Sequence, residues 1–124
     1  MIQVKKTAKT LDEGIQNMMA AAKDDYALWS TKAHGEQSQW TKDSIAKWDK
    51  QIKIKEGKKF IKVIKENGVF AFICKDDFSA PFKSFKKGDV LMAASWNRPA
   101  LNAPRGNVLK GSYNIAWTGP LYLK

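Results

Sequence analysis

The residues best suited to catalysis and metal binding are scarce in this chain of 124 residues, which has one cysteine, Cys74, and one histidine, His34. A single cysteine cannot form an intrachain disulfide, and a single histidine with no cysteine nearby does not make a zinc site. The sequence also lacks a glycine-rich phosphate loop and the spacing of zinc-binding motifs. We therefore expect neither a metal nor another cofactor, and the scarcity of cysteine agrees with a reducing cytoplasm.

Long apolar runs are also missing. No apolar stretch reaches the length of a transmembrane helix, and the N-terminal residues MIQVKKTAKTLDEG lack the apolar block of a signal peptide. We therefore expect a cytoplasmic protein without a membrane partner. The apolar fraction of 44%, with five tryptophans, three tyrosines and six phenylalanines, nevertheless argues against global disorder. The length predicts a single domain over residues 1–124, large enough to fold without disulfides or metals.

The few carboxylates give little support to acid–base catalysis. Asp24-Asp25 and Asp76-Asp77 are sequence neighbours, whose side chains point in different directions on a helix or a strand. Cys74 lies in the apolar run VFAFICK, where a buried thiol is more usual than a nucleophile. We therefore predict a protein that is not an enzyme, and an enzyme acting on an anionic substrate is kept as a third hypothesis.

Positive charge is abundant and unevenly distributed, with a formal net charge of +10. Residues 1–50 carry eight lysines against seven acidic residues, a net of +1. Residues 51–124 carry twelve lysines and two arginines against five acidic residues, a net of +9. A polyanion is therefore the expected partner, with nucleic acid first and acidic proteins or anionic lipid after it. The alternative is that the lysines only keep the outer faces of the domain soluble.

The apolar residues near the N-terminus have helical spacing. Residues 10–32 are predicted to form a helix, because Thr10 and Glu13 make a capping box before a continuous apolar stripe. The stripe consists of Leu11, Ile15, Met18, Met19, Ala22, Tyr26 and Trp29. We expect it to face the core of the domain or, alternatively, a partner helix, so that a homo-oligomer can form through this helix.

A second, shorter helix is predicted to begin at Thr41, after a polar loop over residues 33–39. Trp40 before the predicted start and Ile45 after it have the spacing of a hydrophobic staple. The apolar sides of the two helices are expected to meet the remainder of the domain. This divides the chain into a helical part, 1–50, and a β part, 51–124.

The apolar spacing changes near Gln51 to alternate residues, which predicts strands. KKFIKVIK and VFAFICK flank Asn67-Gly68, a pair that tolerates positive φ, so we expect a hairpin with these two residues at its tip. About five to seven short strands with glycine-rich corners are predicted in the β part, among them residues 82–85, 108–109 and 121–123. The expected fold is α+β, with the N-terminal helical pair packed on a small antiparallel sheet that is strongly bent or forms a partly open barrel.

Six lysines lie within the thirteen residues 53–65, namely Lys53, Lys55, Lys58, Lys59, Lys62 and Lys65. Lys53 and Lys55 share one face of a strand, because alternate residues point the same way. Such a series suits the phosphate backbone of a nucleic acid, since each neutralised phosphate releases counterions. The alternative is an edge strand that its lysines protect from aggregation.

The only two arginines, Arg98 and Arg105, lie in the loop SWNRPALNAPRGN. The prolines and small apolar residues of this loop predict that it packs on the domain and holds both guanidinium groups in place, which suits bidentate recognition of phosphate. The aromatic residues nearby that are candidates to stack on bases are Trp96, Tyr113, Trp117 and Tyr122, and Trp96 is assigned to the nucleic-acid site. Alternatively, the arginines hold the loop to backbone carbonyls or to Asp89, and the aromatic residues fill the core.

Two C-terminal segments, GDVLMAASWNRPALNAPRGNVLKG at 88–111 and WTGPLYL at 117–123, resemble the C-terminal part of small uncharacterised proteins encoded by tailed bacteriophages. The resemblance implies a short cytoplasmic protein that handles a genome or acts on the host, and it assigns no catalytic residue. From the residues themselves we predict a small basic, non-enzymatic nucleic-acid-binding protein with weak sequence selectivity. The alternative is an interaction protein that binds or inhibits a host protein through an acidic surface of that protein.

Overall fold

A computed structural model describes residues 2–34, 39–81 and 83–120 of the chain. It contains two helices and a series of short antiparallel strands, so the predicted α+β class is confirmed. The helices are α1 (Leu11–His34) and α2 (Gln39–Lys47), and a 3-10 turn (Asp49–Gln51) follows them. The strands are β1 (Ile2–Val4), β2 (Ile52–Glu56), β3 (Phe60–Lys65), β4 (Gly68–Cys74), β5 (Phe78–Ala80), β6 (Lys83–Phe85), β7 (Val90–Leu91), β8 (Ala93–Ser95), β9 (Arg98–Pro99), β10 (Tyr113–Ala116) and β11 (Gly119–Pro120).

The strands form separate antiparallel sheets that do not close into a barrel in the described part of the chain. The largest sheet has the order β2-β3-β4-β7, and a three-stranded sheet has the order β1-β10-β11. The remaining strands pair as β5-β6 and β8-β9. β1 pairs with β10 from Ile2↔Ile115 to Val4↔Tyr113. The expected division at residue 50 is therefore wrong in one respect, because a strand of the β part precedes α1.

Helix α1 supplies one side of the main core. The middle of its apolar stripe faces inward as predicted. Trp29 at the end of the stripe is 40% exposed, whereas Ile15, Met18 and Ala22 have no exposed surface. They share this core with Val63 of β3 and Ile115 of β10, so that α1 packs against both of the larger sheets. The middle of the stripe is thus occupied within the chain, and self-association through α1 would have to use other residues.

The N-terminus of α1 is capped by side chains. The N–H of Glu13 donates to Thr10 Oγ1 at 3.1 Å, and the N–H of Lys9 donates to Glu13 Oε2 at 3.3 Å. The capping box is present, although the carboxylate of Glu13 accepts from Lys9 and not from Thr10. Gly14 in the first turn of α1 lies against the backbone of Val108, since a Cβ at Gly14 would be 2.6 Å from the carbonyl oxygen of Val108. A glycine costs about 1 kcal/mol in a helix interior, and here it permits close packing.

Helix α2 begins at Gln39, two residues before the predicted start, so Thr41 is not its N-cap. Thr41 is buried, and its hydroxyl oxygen accepts a hydrogen bond from the Ser30 hydroxyl of α1 at 3.0 Å. A threonine in a helix interior can therefore bond to the neighbouring helix. Because Trp40 lies inside the helix, the predicted hydrophobic staple, which requires a residue before the N-cap, does not form.

The β3–β4 hairpin is present, but its turn is displaced by one residue from the prediction. Lys65 pairs with Gly68, which leaves Glu66 and Asn67 at the tip. Glu66 has a φ of 56°, whereas Gly68 already belongs to β4. The expected tip at Asn67-Gly68 is therefore wrong. A Cβ on Gly68 would meet nothing within 4 Å, so valine at this position is compatible with the fold.

The neighbouring strand β2 explains the displacement of the turn. The N–H of Glu66 donates to the carbonyl oxygen of Gln51 at 2.8 Å, and Lys65 Nζ donates to Gln51 Oε1 at 2.6 Å. These bonds extend the pairing of β3 with the preceding segment as far as Glu66. Phe70 has no partner in β3 and forms a β-bulge, which shifts the register of β4 near the tip.

A second, smaller core lies on the other face of the four-stranded sheet. Phe72, Cys74 and Leu91 point to this face and are buried together with Phe85 of β6. The ring of Phe60 packs at the border of this core, with its centroid 6.1 Å from that of Phe72. This core covers the β7 side of the face and leaves the β2 side open.

The remaining expectations for the β part are met unevenly. Residues 108–109 form no strand, while the predicted strand at 82–85 appears as Lys83–Phe85, with Phe82 outside the described residues. The predicted final strand LYL, 121–123, also lies outside them. Among the described residues, no helix combines the length and the apolar character needed to cross a membrane.

Candidate nucleic-acid interface

The alternation of β2 and β3 places three lysines on the open face of the four-stranded sheet. Lys55 pairs with Lys62 across β2 and β3, and Lys62 pairs with Phe72 across β3 and β4. Residues paired in this way point to the same side of the sheet, so the side chains of Lys55, Lys62 and Phe72 are neighbours. Lys53 lies two residues before Lys55 and shares its face. β2 is an edge strand of the sheet. We call the surface formed by Lys53, Lys55, Lys62 and Phe72 the basic face.

The basic face borders a groove of about 310 Å³. Four lysines and two aromatic residues line it, namely Lys55, Lys58, Lys59, Lys62, Phe60 and Phe72. The sheet contributes Lys55 and Lys62, and the loop between β2 and β3 contributes Lys58 and Lys59. We call this site the basic groove. Ammonium groups beside apolar rings are suited to binding the phosphates and the base faces of a nucleic acid.

Lys75 holds the β2–β3 loop in position. Its Nζ donates to the carbonyl oxygen of Gly57 at 2.9 Å and lies 3.0 Å from Glu56 Oε1. Its backbone N–H donates to the carbonyl oxygen of Lys59 at 2.9 Å. Glu56 is the one acidic residue that the described part of the chain contributes to the basic groove, and Lys75 offsets its charge. The groove therefore retains the positive charge of its own lysines.

Trp96 is brought to the basic groove by a contact between two distant parts of the sequence. Trp96 and Asn97 form the tip of the β8–β9 hairpin, in which Ser95 pairs with Arg98. Lys62 Nζ donates to Asn97 Oδ1 at 3.2 Å and lies 4.8 Å from the centroid of the Trp96 ring. The Trp96 side chain is 47% exposed. Trp96 therefore lies beside Lys62 at the edge of the basic groove, with about half of its side chain exposed.

Arg105 is engaged within its own loop. Its Nη1 donates to Asn102 Oδ1 at 2.7 Å and to the carbonyl oxygen of Ala103 at 2.8 Å. Its backbone N–H donates to the carbonyl oxygen of Val90 at 2.8 Å. Burial lowers the pKa of the Arg105 guanidinium from its ordinary value, because desolvation disfavours the charged form. These contacts favour the expectation in which an arginine holds the loop, with Asn102 as the side-chain acceptor where Asp89 was expected.

Arg98 differs from Arg105, although both belong to one loop in the sequence. Arg98 opens β9, and its side chain is exposed. It makes no hydrogen bond or ion pair with any residue that the structure describes. Arg98 follows directly after the Trp96-Asn97 tip, of which Asn97 lines the basic groove. The two arginines therefore differ, since the guanidinium of Arg105 is bonded within the loop and the side chain of Arg98 is exposed.

Lys65 does not belong to the basic groove. It pairs with Ile52 and lies on the face of β3 opposite Lys62. Its Nζ bonds to Gln51 Oε1 and lies 3.1 Å from Glu66 Oε1 and 4.5 Å from the centroid of the Trp48 ring. Lys65 therefore does not share a face with Lys53, Lys55 and Lys62, since the alternation of β3 carries its side chain to the opposite side of the sheet.

Of the other aromatic residues proposed to stack on bases, Tyr113 is buried and Trp117 packs against Tyr26 of α1. The hydroxyl of Tyr113 is desolvated, which raises its pKa above the ordinary value. Tyr122 lies outside the described residues. Sequence reasoning did not identify Asn97 and Lys75, because their role depends on contacts with strands that are distant in the sequence.

Two of the residues considered for catalysis, Cys74 and Asp25, are buried. Cys74 is buried, and desolvation, followed by the charge of Asp89, raises the pKa of its thiol to about 12. Asp25 is buried and accepts a hydrogen bond from the N–H of Trp117 at 2.9 Å. Asp89 accepts from the N–H of Lys86 and from the Asn107 side chain. Within the described ranges, no group of three or more His, Cys, Asp or Glu side chains is placed to hold a metal ion.

Comparison of the chain with known proteins finds no matching family model, no matching curated protein and no matching solved structure.

Proposed function

We propose that this protein binds nucleic acid without catalysing a reaction, through the basic groove and the half-exposed ring of Trp96. The observation that carries the proposal is the meeting of Lys55, Lys58, Lys59 and Lys62 with aromatic rings in one groove. Phosphates would contact the ammonium groups, and bases would stack on the exposed ring of Trp96. The net charge of +9 over residues 51–124 supports steering of a polyanion towards this half of the chain.

The preferred ligand in this proposal is a single strand with little sequence selectivity. A double helix stacks its bases against each other, whereas a single strand can present base faces to Trp96. Lysine contacts a phosphate as a point charge and carries no information about the base. Stacking is also tolerant of sequence, because every base has an aromatic face. Arg98 is the residue proposed to add a bidentate phosphate contact at the rim.

The test is a salt titration of binding to single-stranded and double-stranded oligonucleotides of mixed sequence. Replacement of Lys55 and Lys58 by glutamine should weaken binding uniformly across sequences and reduce the slope against salt by about 1.4 units, if each lysine neutralises one phosphate of a single strand. The matched control replaces the exposed Lys42 and Lys50 of the helical part by glutamine, with the same change in net charge. The control should bind like the parent protein.

A Trp96→Ala variant separates stacking from charge. Its affinity for a single strand should fall by about 1–3 kcal/mol with the salt slope unchanged. Equal losses of affinity in the lysine variant and its control would show that binding depends on net charge alone and not on the basic groove. Absence of binding by the parent protein at low salt would contradict the proposal.

A second candidate function is binding to an acidic protein, which the position of β2 favours. β2 is an edge strand whose outer backbone groups face away from the sheet, and it carries Lys53 and Lys55. An acidic extended segment could add to this edge, with main-chain hydrogen bonds and lysine contacts together. Purification without nuclease distinguishes the candidates, since either nucleic acid or a stoichiometric protein accompanies the chain.

A self-associated form would use the exposed Leu28 and Trp29 of α1.

A further inference from the structure

A second cleft, of about 370 Å³, lies where the two helices meet the β10–β11 turn. Its walls are the rings of Tyr26 and Trp29 of α1, Trp40 of α2 and Trp117 of the turn. The Tyr26 ring centroid lies 5.8 Å from that of Trp29 and 5.2 Å from that of Trp117, and the centroids of Trp29 and Trp40 are 6.3 Å apart. We call this site the aromatic cleft.

The aromatic walls are held in place from two directions. The N–H of Trp117 donates to the buried carboxylate of Asp25 at 2.9 Å, which fixes the β10–β11 turn against α1. Trp48 stacks on Tyr26 from the interior, with ring centroids 5.3 Å apart. Trp29 and Trp40 nevertheless remain 40% and 47% exposed. The cleft therefore presents accessible indole surface on a supported scaffold.

The polar groups of the aromatic cleft give it a net positive charge. Lys47 and Lys65 line it against a single carboxylate, that of Glu66. Lys65 Nζ is already engaged, at 3.1 Å from Glu66 Oε1 and 2.6 Å from Gln51 Oε1. Lys47 is exposed and makes no ion pair with any described residue. Its charge is therefore the uncompensated one in the cleft, which favours an anionic ligand.

The chemistry of the lining narrows the ligand class. A cationic ligand is disfavoured, because Lys65 Nζ already lies 4.5 Å from the centroid of the Trp48 ring and Lys47 adds repulsion. An aliphatic ligand is disfavoured, because no leucine, isoleucine or valine of the described residues lines the cleft. Flat aromatic walls favour a planar ring that can stack on them. Ser44 and Gln51 add hydrogen-bonding groups for the edge of such a ring.

We propose that the aromatic cleft binds a nucleotide, with the base stacked on the exposed indole surface of Trp29 or Trp40 and the phosphate near Lys47. The site is independent of the basic groove, since Lys65 lines the cleft from the opposite face of β3 to Lys62. The ligand is either a free mononucleotide or one nucleotide of a bound strand, and both present the same planar base and phosphate.

The test uses tryptophan fluorescence in a Trp96→Phe background. Four of the five tryptophans, Trp29, Trp40, Trp48 and Trp117, then line the cleft or pack beneath it, so the signal reports on this site alone. Adenosine monophosphate should quench the fluorescence saturably. Adenosine, which lacks the phosphate, and ribose phosphate, which lacks the base, should each bind about tenfold more weakly. Calorimetry with the same ligands provides an independent readout.

Two variants locate the ligand in the cleft. Lys47→Gln should lower the affinity for adenosine monophosphate by about tenfold and leave the affinity for adenosine unchanged. Trp40→Ala should lower the affinity for both ligands by about five- to a hundredfold. Lys42→Gln, on the same helix but outside the cleft, is the matched control and should have no effect.

A further arm distinguishes the two sources of the nucleotide. If Trp40→Ala lowers the affinity for a short oligonucleotide as much as it lowers the affinity for the mononucleotide, the cleft holds a nucleotide of a bound strand. If the oligonucleotide is unaffected, the ligand is a free mononucleotide. The Lys55→Gln/Lys58→Gln variant should retain the response to adenosine monophosphate, which keeps a failure of the basic groove separate from a failure of the cleft. No saturable quenching by adenosine monophosphate, or equal quenching by maltose or tetramethylammonium, would overturn the proposal.

Discussion

Glu66 occupies a backbone conformation that glycine and asparagine adopt more readily than glutamate. Its φ of 56° lies in the left-handed region, where a residue with a Cβ pays about 1–2 kcal/mol. We predict that Glu66→Gly raises the free energy of unfolding by about 0.5–1 kcal/mol, measured by urea denaturation. The gain is smaller than the strain, because glycine also increases the entropy of the unfolded chain.

The matched variant for this prediction is Glu66→Ala, which removes the same carboxylate but keeps a Cβ. It should not stabilise the protein, since the left-handed conformation remains strained. The lost ion pair with Lys65 contributes little in either variant, because the Glu66 side chain is 55% exposed. Equal stability of the alanine and glycine variants would show that the backbone conformation is not the source of the effect.

The loop that follows β9 is an ordered element whose conformation depends on Arg105. The guanidinium reaches both Asn102 Oδ1 and the carbonyl oxygen of Ala103, and the loop continues into Gly106 against Tyr113. A Cβ on Gly106 would overlap the Tyr113 ring, so the loop fits closely at this point. We predict that Arg105→Lys lowers the free energy of unfolding by about 1–2 kcal/mol, since an ammonium group cannot reproduce the two bonds from one planar group.

Arg98→Lys is the matched change on the same loop. Because the Arg98 side chain is exposed, this variant should melt with the parent protein, and a loss of affinity for nucleic acid would assign Arg98 to the interface. Thermal melts and binding titrations of both variants distinguish the two roles. A stable Arg105→Lys variant with impaired binding would contradict the assignment of Arg105 to the loop.

The two ends of the described chain meet in one core, and this arrangement predicts cooperative unfolding. Val4 of β1 and Tyr113 of β10 are buried in the same cluster as Ile15 of α1 and Val63 of β3. Loss of α1 would therefore expose both of the larger sheets. We expect far-ultraviolet circular dichroism, which reports the helices, and tryptophan fluorescence to give coincident denaturant transitions.

A substitution in the core provides the accompanying test. Ile15→Asp would bury a charge without a partner and should lower the free energy of unfolding by about 3–5 kcal/mol in both measurements. Two separated transitions in the parent protein would contradict a single domain over residues 1–124. They would instead indicate that the helical and β parts unfold independently.

Local patterns in the sequence were sufficient to predict α1, the presence of the β3–β4 hairpin and the shared face of Lys53 and Lys55. The capping box and the three- and four-residue spacing predict α1, because both act within a few turns of one helix. Alternation predicts that Lys53 and Lys55 share a face, since this follows from the geometry of any strand. The composition of the 51–124 half likewise predicts a basic surface without knowledge of the fold.

Register and long-range pairing required the folded chain. The tip of the β3–β4 hairpin depends on the hydrogen bond that the N–H of Glu66 donates to the carbonyl oxygen of Gln51 and on the bulge at Phe70, which outweigh the local preference of Asn67-Gly68 for a turn. The alternation that places Lys62 in the groove also places Lys65 over Trp48, and the sequence does not show which face is the core. β1 was not predicted, because three residues become a strand only when β10 supplies the partner for their backbone hydrogen bonds.

The aromatic cleft combines contacts that the sequence predicts with contacts that only the tertiary structure determines. Tyr26 and Trp29 are three residues apart on α1, so their proximity is readable from helical spacing. Trp40 and Trp117 join them only because α2 turns back on α1 and the β10–β11 turn is held by Asp25. Contacts between residues so distant in sequence carry no periodic signal, and packing alone determines them.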